Sequence, residues 1–495
     1  MKKTRIEALF LAAAMIVPTI LSGCGNTAAD TDTTSGEGSV SSSDETTSRY
    51  RDSLGEYDFG GEDFTVLCRE TQNGQFFDEV AVDEESGDLV DDAVYKRNAE
   101  IGARFNVNIV ANKANGSWPD RESFNSLLKT SVMAGDGAFD LVLGYQAYSA
   151  NLDVAECLYD FMKVPVIDLD AEYYYHDIID EITVNGKLFY LVGDYTYSVW
   201  PSLFVYYFNK QIAEDNGIDG LYDLVREGKW TVDKLSELCA GVYRDLNGNS
   251  EKDEEDMFGL ATDYENVADA YYSAFQVRIT DRGEDGMPRI NTDIARMEEV
   301  VTKLSALYDN NDGVYAFKTH SSMTTNPLTE MFVEDRALFY PDMLRSAISF
   351  RSMETDFGVL PYPKYEESQD KYFTQPHNGY SVMMIPADVK NIEKTAVMVE
   401  ALNAASLDSV IPAFYDKALK VKFTRDEDSA EMLDIIRDGI CFQFGYYYTV
   451  TLNEGATDWR MRDVLALKKN VASTFAACEG RLESNLEKIL AFYRE

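Results

Sequence analysis

Short apolar runs alternate with helical patterns in the first part of the chain, and this alternation constrains the fold most. Apolar runs at 64–68, 105–110 and 139–143 are typical of strands, and the segments 89–104 and 122–133 between them have apolar residues at helical spacing. Helices that separate strands indicate a parallel, doubly wound sheet in an α/β fold. Ligands of such sheets gather at the carboxyl ends of the strands.

Length and composition exclude several classes of protein. The chain has 495 residues, which suits two or three domains or two lobes of one chain. Its hydrophobic content of 45% and aromatic content of 12% are enough for packed cores, so the net charge of −41 must lie on the surface of a folded body. With 86 acidic against 45 basic residues, nucleic acid is repelled and is not an expected partner.

Residues 1–23 are predicted to be a lipoprotein signal peptide. Three basic residues precede an apolar run from Ala8 to Leu21, which is short for a membrane span. The run ends in Leu21-Ser-Gly-Cys24, which resembles the lipobox of bacterial lipoproteins. The resemblance implies cleavage before Cys24 and lipidation of its thiol, so that acyl chains hold the protein to the membrane. An ordinary secretory peptide with an incidental cysteine is the alternative.

Residues 24–58 are rich in Ser, Thr, Gly and acidic residues, and we predict a flexible tether with a reach of roughly 30 Å. Five cysteines remain after Cys24. They are odd in number, widely spaced and without a Cys-x-x-Cys pair, which argues against a disulfide framework or a zinc site. We therefore predict that they are small core residues: Cys68, Cys157, Cys239, Cys441 and Cys478.

Six segments in a fixed order carry a family resemblance. They are Val184-Asn-Gly-Lys-Leu-Phe-Tyr-Leu-Val-Gly-Asp194, Leu203-Phe-Val-Tyr-Tyr-Phe-Asn-Lys210, Gly228-Lys-Trp-Thr-Val-Asp-Lys-Leu235, Met331-Phe-Val-Glu-Asp-Arg-Ala-Leu-Phe-Tyr340, Phe357-Gly-Val-Leu-Pro-Tyr-Pro363 and Asn378-Gly-Tyr-Ser-Val-Met-Met-Ile385. Together they resemble the family 1 extracellular solute-binding proteins of ATP-driven importers, which are maltose-binding-protein-like. The resemblance covers roughly residues 60–410. Trp230 and Thr231 are inverted relative to the family pattern, and the chain after Ser409 does not align.

The resemblance implies a two-lobed periplasmic-binding-protein-like fold, in which each α/β lobe is a doubly wound sheet and the solute lies in a cleft between the lobes. We expect residues 59–198 and 357–408 to form lobe 1, and residues 199–356 and 409–495 to form lobe 2. It also implies a monomer on the outer face of a bacterial cytoplasmic membrane, which delivers a carbohydrate, an oligosaccharide by preference, to the permease subunits of an ABC transporter.

A twelve-residue loop from Asp245 to Asp256 has calcium-loop spacing and resembles the EF-hand-like loop of dockerins. Calcium prefers six to eight oxygen ligands. Ser250 stands at position 6, where such loops prefer Gly. The predicted structural Ca²⁺ ligands are Asp245, Asn247, Asn249, the backbone carbonyl of Glu251, Asp253 and Asp256. A solvated acidic turn is the alternative.

The motifs of an enzyme do not appear in the sequence, and we predict that the chain catalyses nothing. The three histidines, His176, His320 and His377, form no metal motif, and we interpret them as hydrogen-bonding residues. No nucleophile elbow or phosphate-binding loop is present. A secreted carbohydrate-active enzyme and a surface sensor or adhesin remain the alternative functions.

Sugar receptors need aromatic platforms beside planar polar groups, because pyranose rings have apolar CH faces and a rim of hydroxyls. We select residues at strand ends, at the expected crossover, or at positions that match family contacts. A peptide or an anionic polymer is the alternative solute, although the acidic charge opposes anions. The predicted ligand-binding residues are Arg69, Glu70, Tyr145, Trp200, Tyr272, Tyr340, Asp342, Arg345 and Trp459.

Overall fold

Two mixed β-sheets organise the protein, as the computed structural model shows for residues 50–70, 78–318, 327–415, 427–454 and 460–494. The strands are β1 Glu62–Arg69, β2 Val107–Ala114, β3 Leu141–Tyr145, β4 Phe204–Asn209, β5 Phe258–Asp263, β6 Thr280–Arg282, β7 Pro288–Ile290, β8 Val314–Phe317, β9 Ala337–Met343, β10 Phe357–Leu360 and β11 Ser381–Met384. Strands β6 and β7 form a separate hairpin.

Helices cover both sheets. The α-helices are α1 Leu89–Phe105, α2 Arg121–Ala134, α3 Gln146–Ser149, α4 Leu152–Ala155, α5 His176–Ile182, α6 Lys210–Asp215, α7 Leu221–Arg226, α8 Val232–Cys239, α9 Asn266–Asp269, α10 Tyr271–Ala274, α11 Ile294–Asn310, α12 Pro327–Val333, α13 Ile392–Asp408, α14 Val410–Pro412, α15 Glu427–Asp438, α16 Phe444–Tyr447, α17 Thr449–Leu452, α18 Met461–Leu467 and α19 Val471–Arg494. Short 3₁₀ helices span Trp118–Asp120, Phe161–Lys163, Asp194–Ser202 and Leu344–Ser352.

The first sheet has the strand order β11-β3-β1-β2 and confirms the predicted βαβαβ block. Strand β1 pairs in parallel with β2 and with β3, and β11 joins the edge of β3 in the antiparallel direction. Helix α1 begins where the Asp88 side chain accepts hydrogen bonds from the N–H groups of Val90 and Asp91. It ends at Asn106, whose φ of 52° turns the chain into β2.

The second sheet has the strand order β10-β4-β9-β5-β8. Strand β4 is antiparallel to both of its neighbours, whereas β5 is parallel to β8 and β9. All six residues of β4 are buried, as expected for the continuous apolar run that the sequence shows there. Trp230 lies two residues before α8, and its indole N–H donates to the carbonyl of Pro361 at 2.8 Å. This bond fixes the chain after β10.

Two crossover segments connect the sheets and lie side by side. The chain passes from the first sheet to the second through Asp194–Ser202 and returns between β10 and β11. The N–H of Phe204 donates to the carbonyl of Gln375 at 3.2 Å, and the N–H of His377 donates to the carbonyl of Ser202 at 2.7 Å. The fold is therefore two α/β lobes with a cleft at the crossovers.

Two boundaries differ from those predicted. Strand β10 hydrogen-bonds to β4, so residues 357–360 belong to the sheet of the second lobe and not to lobe 1. Residues 50–58 were expected in the tether, but Asp52 is buried and accepts two hydrogen bonds from Arg104 at 2.6 and 2.7 Å. This ion pair attaches the segment to α1. The predicted signal peptide, Cys24 and tether residues 24–49 lie outside the described residues.

The described cysteines form no disulfide, and all are buried or partly buried, as predicted. One segment, Ile392–Tyr415, is long and apolar enough to cross a membrane. However, 67% of its most apolar stretch is buried inside the protein, so it is a core helix of the first lobe.

Candidate functional site

The ends of β1 and β3 bring Arg69 and Tyr145 together, as the strand-end rule predicts. Arg69 is buried, and its guanidinium carbon lies 5.0 Å from the centre of the Tyr145 ring. Its Nη2 donates to the Ser381 hydroxyl at 2.9 Å, and Ser381 is the residue of β11 that pairs with Tyr145. A planar cation against an aromatic face is a stable arrangement in a desolvated position.

A buried carboxylate supports this corner. Glu79 accepts a hydrogen bond from the Ser381 hydroxyl and a second from the N–H of Ser198 at 2.9 Å. Burial raises the pKa of Glu79, whereas these bonds and the charge of Arg69 oppose the rise. Ser198 lies on the first crossover, and its hydroxyl accepts from the N–H of Ser381 at 2.9 Å. The network therefore links Arg69 to the crossover.

His377 lies on the returning crossover, between the lobes. Its ring Nδ1 is buried and has no hydrogen-bond partner among the described residues. Burial, together with the charges of Arg345, Arg462 and Arg69, lowers the pKa of His377 to about 3. The imidazole is therefore neutral, and Nδ1 is a polar atom that a bound solute can satisfy.

Two amide side chains that hydrogen-bond to Ser273 have unused polar atoms. Gln375 accepts from the Ser273 hydroxyl at 2.6 Å, but its Nε2 has no partner in the part of the chain that the structure describes. Gln443 donates to Ser273 at 3.2 Å, and its Oε1 likewise has no described partner. Buried polar groups normally form hydrogen bonds, so a cluster of unused ones indicates a place for a polar ligand.

The second lobe contributes Arg345 and Arg462. Arg345 directly follows Leu344, whose N–H donates to the carbonyl of Leu203 at 2.8 Å, so it lies beside the first crossover. Arg462, on α18, forms an ion pair with the buried Asp269 through a 2.7 Å bond from its Nε. Nearby, burial raises the pKa of Asp263 at the end of β5 to about 7.

Trp118 extends the aromatic surface at Tyr145, although we did not select it from the sequence. Its ring centre lies 6.2 Å from that of Tyr145, and 43% of the Trp118 side chain is exposed. Tyr145 is only partly buried and also contacts Tyr148, with ring centres 5.1 Å apart. Exposed aromatic faces of this kind provide stacking platforms.

Several of the predicted ligand-binding residues have packing roles. Tyr340 is buried among Phe332 and Phe350, and its hydroxyl donates to Asp342 at 2.8 Å. Asp342 accepts a second bond from Ser346 and is satisfied within its lobe. The predicted stacking role of Tyr340 is therefore corrected, because neighbouring side chains cover its ring.

The other predicted residues lie in different surroundings. Tyr272 is also buried, and its hydroxyl accepts from the N–H of Met461 at 2.7 Å, so it positions α18. Glu70 is exposed just after β1. Trp200 lies on the first crossover but lines a separate cavity with Tyr415. Trp459 lies outside the described residues.

The loop of the predicted calcium site is organised by its own side chains. Asp245 accepts from the N–H groups of Gly248 and Ser250, and Asp253 accepts from the Asn249 amide at 2.7 Å. Ser250 adopts a φ of 63°, the left-handed conformation that such loops require at position 6. Among the described residues, no group of three or more His, Cys, Asp or Glu side chains is arranged to hold a metal ion. Calcium binding stays a prediction.

Comparison with known proteins decides the family. A family model described as bacterial extracellular solute-binding protein matches residues 120–427, more than half of the chain. The chain belongs to this family. It is therefore an extracellular solute-binding protein and not an enzyme, as the sequence predicts. A search of curated protein sequences finds no match.

Solved structures share the fold of this solute-binding protein at low sequence identity. The maltose/maltodextrin-binding domain MalE from Bdellovibrio bacteriovorus, bound to maltotriose, is 15% identical, with a TM-score of 0.51 over 87% of this chain and 100% of that chain. UspC of M. tuberculosis is 13% identical, with a TM-score of 0.54 over 85% and 100%. The GacH receptor of Streptomyces glaucescens, solved unliganded and with acarbose, is 12% identical, with a TM-score of 0.53 over 86% and 99%.

Proposed function

We propose that this solute-binding protein binds a carbohydrate in the cleft between its lobes and delivers it to the permease of an ABC importer. The observation that carries the proposal is the Arg69–Tyr145 pair at the strand ends, which lies close to His377 on the crossover. Aromatic rings there match the CH faces of a pyranose. The guanidinium, amide and imidazole groups match its hydroxyls.

An oligosaccharide fits the site better than a single ring. Trp118 and Tyr145 form two neighbouring aromatic faces. A single pyranose ring can cover one of these faces fully, but not both. Similar folds have been solved with maltotriose and with acarbose, which supports a solute of this kind. The arginines around the cleft can also donate hydrogen bonds to the hydroxyls of an uncharged solute.

The membrane attachment is a separate part of the proposal. Lipidation of Cys24, followed by a tether of about 25 residues, would hold the folded body near the permease on the outer face of the cytoplasmic membrane. The extracellular location follows from the family, whereas the anchor rests on the Leu21-Ser-Gly-Cys24 sequence alone.

A thermal-shift screen tests the binding function. The chain from residue 25 onward is heated with each of a panel of neutral mono- and oligosaccharides, and calorimetry then measures affinity for those that raise the melting temperature. A ligand at about 100 times its Kd stabilises the folded state by about 2.7 kcal/mol, which the screen detects easily. We expect hits among oligosaccharides. Stabilisation by peptides alone, with no effect of any sugar, would contradict the proposal.

A further inference from the structure

A second cavity, of about 250 Å³, lies beside the first crossover and shares none of its lining with the cleft described above. Asp194 and Trp200 come from the crossover, and Tyr175 and Ile411 come from segments packed on the first lobe. Arg437 comes from α15, which packs against β10 of the second sheet. The volume suits one small ring-shaped ligand.

Three polar groups face this cavity without partners. Asp194 is 5% exposed, and burial raises the pKa of its carboxyl well above the usual value, with no hydrogen bond from the described residues that opposes the rise. The Trp200 indole lies close enough to the Tyr175 hydroxyl to oppose the rise that burial causes in the pKa of that hydroxyl, but neither group forms a hydrogen bond of normal geometry within the described chain. A buried polar group without a hydrogen-bond partner lowers the stability of the fold. The two donors and one acceptor can therefore form hydrogen bonds with a ligand.

The remaining walls are aromatic and apolar. The rings of Trp200 and Tyr415 have centres 5.0 Å apart, and Ile411 lies on the same wall. An apolar lining with a few convergent polar groups is the usual composition of a small-molecule site. An aromatic wall next to hydroxyl-binding groups suits a ring with CH faces and a polar rim.

We propose that this cavity binds one neutral sugar ring, independently of the solute in the cleft. Its charges oppose the other ligand classes. An organic cation would face the guanidinium of Arg437, and an anion would face the carboxylate of Glu172. Burial favours the neutral form of the Asp194 carboxyl by raising its pKa, so this group adds little charge. A neutral ring satisfies the Trp200 and Tyr175 donors and the Asp194 acceptor without adding a charge.

Calorimetric titration tests the site in a chain whose cleft is weakened by Tyr145→Ala. The probes are D-glucose, D-galactose and D-xylose, each titrated to tens of millimolar. Trp200→Phe removes the indole N–H but keeps an aromatic ring, and Asp194→Ala removes the acceptor. Trp230→Phe is the matched control, because that indole donates to Pro361 in the core of the second lobe.

We expect at least one of these sugars to bind the Tyr145→Ala chain at a single site. Affinity should fall at least tenfold with Trp200→Phe or Asp194→Ala and stay unchanged with Trp230→Phe. Absence of binding by all three sugars would overturn the proposal, as would binding that Trp200→Phe leaves intact. Binding of tetramethylammonium in place of sugars would overturn the ligand class. Circular dichroism establishes that each variant is folded, and Trp200→Phe alone decides the outcome if Asp194→Ala does not fold.

Discussion

The N–H of His377 donates to the carbonyl of Ser202 at 2.7 Å, and this bond joins the outgoing and returning crossovers. It holds the imidazole between the lobes, where Nδ1 has no partner among the described residues. Any movement of one lobe relative to the other must bend these two segments. His377 thus lies on a segment that any hinge motion must bend, and we propose that it contacts the solute there.

Stability should depend on pH through His377. Burial and the arginines lower the pKa of His377 to about 3 in the folded state, whereas the unfolded side chain keeps its ordinary value near 6.5. Between these values the unfolded state binds more protons, so the free energy of unfolding rises with pH by up to about 1.4 kcal/mol per pH unit. The contribution of His377 to stability is fully present above about pH 6.5. Chemical denaturation from pH 4 to 8 measures this slope.

His377→Gln is the control for that experiment. Asp263, whose pKa is raised to about 7, acts in the opposite direction over part of the range, so only the difference between wild type and variant isolates His377. We expect the stability of wild type relative to the variant to increase from pH 4 to 6.5 and then level off. A difference that does not change with pH would show that His377 titrates normally.

Tyr145→Ala should weaken binding of the sugar that the screen selects by about 1 to 3 kcal/mol, because an aromatic platform is lost. Trp118→Ala should have a smaller effect, since Trp118 is 43% exposed to solvent whereas Tyr145 is partly buried against Arg69. Tyr340→Phe is the matched control, because Tyr340 is buried within its lobe and should leave affinity unchanged. Calorimetry gives all three affinities, and equal losses for Tyr145→Ala and Tyr340→Phe would disprove the location of the cleft.

Calcium should raise the melting temperature if the loop from Asp245 to Asp256 binds it. The amides of Asn247 and Asn249 now donate to Asp253, and binding requires them to turn so that their oxygens face the ion. Asp253→Ala should abolish the calcium-dependent shift. Titration calorimetry with millimolar calcium measures binding directly, and no heat at that concentration would leave the loop a solvated turn.

Cys24→Ala should release the protein from membranes or leave it unprocessed, since lipidation needs the thiol. Detergent-phase partitioning of the full chain compares this variant with Cys157→Ala, a buried cysteine of the folded body. We expect only wild type and Cys157→Ala to partition into detergent. Equal partitioning of all three proteins would disprove the anchor.

The sequence predicts that Arg69 and Tyr145 lie together at the strand ends, and the structure confirms this contact. Arg69 and Tyr145 follow from the rule that ligands meet the carboxyl ends of parallel strands. Their contact needs only local strand assignments and the parallel pairing of β1 with β3. The family segments likewise predict the two lobes, because the order of the segments along the chain matches the family even where each segment alone matches it weakly.

Other parts depend on long-range contacts that a sequence pattern does not contain. β9 is apolar on both faces, so periodicity cannot tell that Tyr340 faces the core and not the cleft. β10 joins the second sheet through pairing with β4, about 150 residues earlier. Trp118 and His377 reach the site from a short 3₁₀ helix and a crossover, and only the folded chain brings them near Tyr145.

A crystal structure of the mature chain with the sugar that the screen selects tests the central claim most directly. We predict a ring stacked on Tyr145, with hydroxyls within hydrogen-bonding distance of Arg69 and of His377 Nδ1. Residues of both lobes should contact the sugar. A sugar bound elsewhere, with Tyr145 and His377 untouched, would contradict the account.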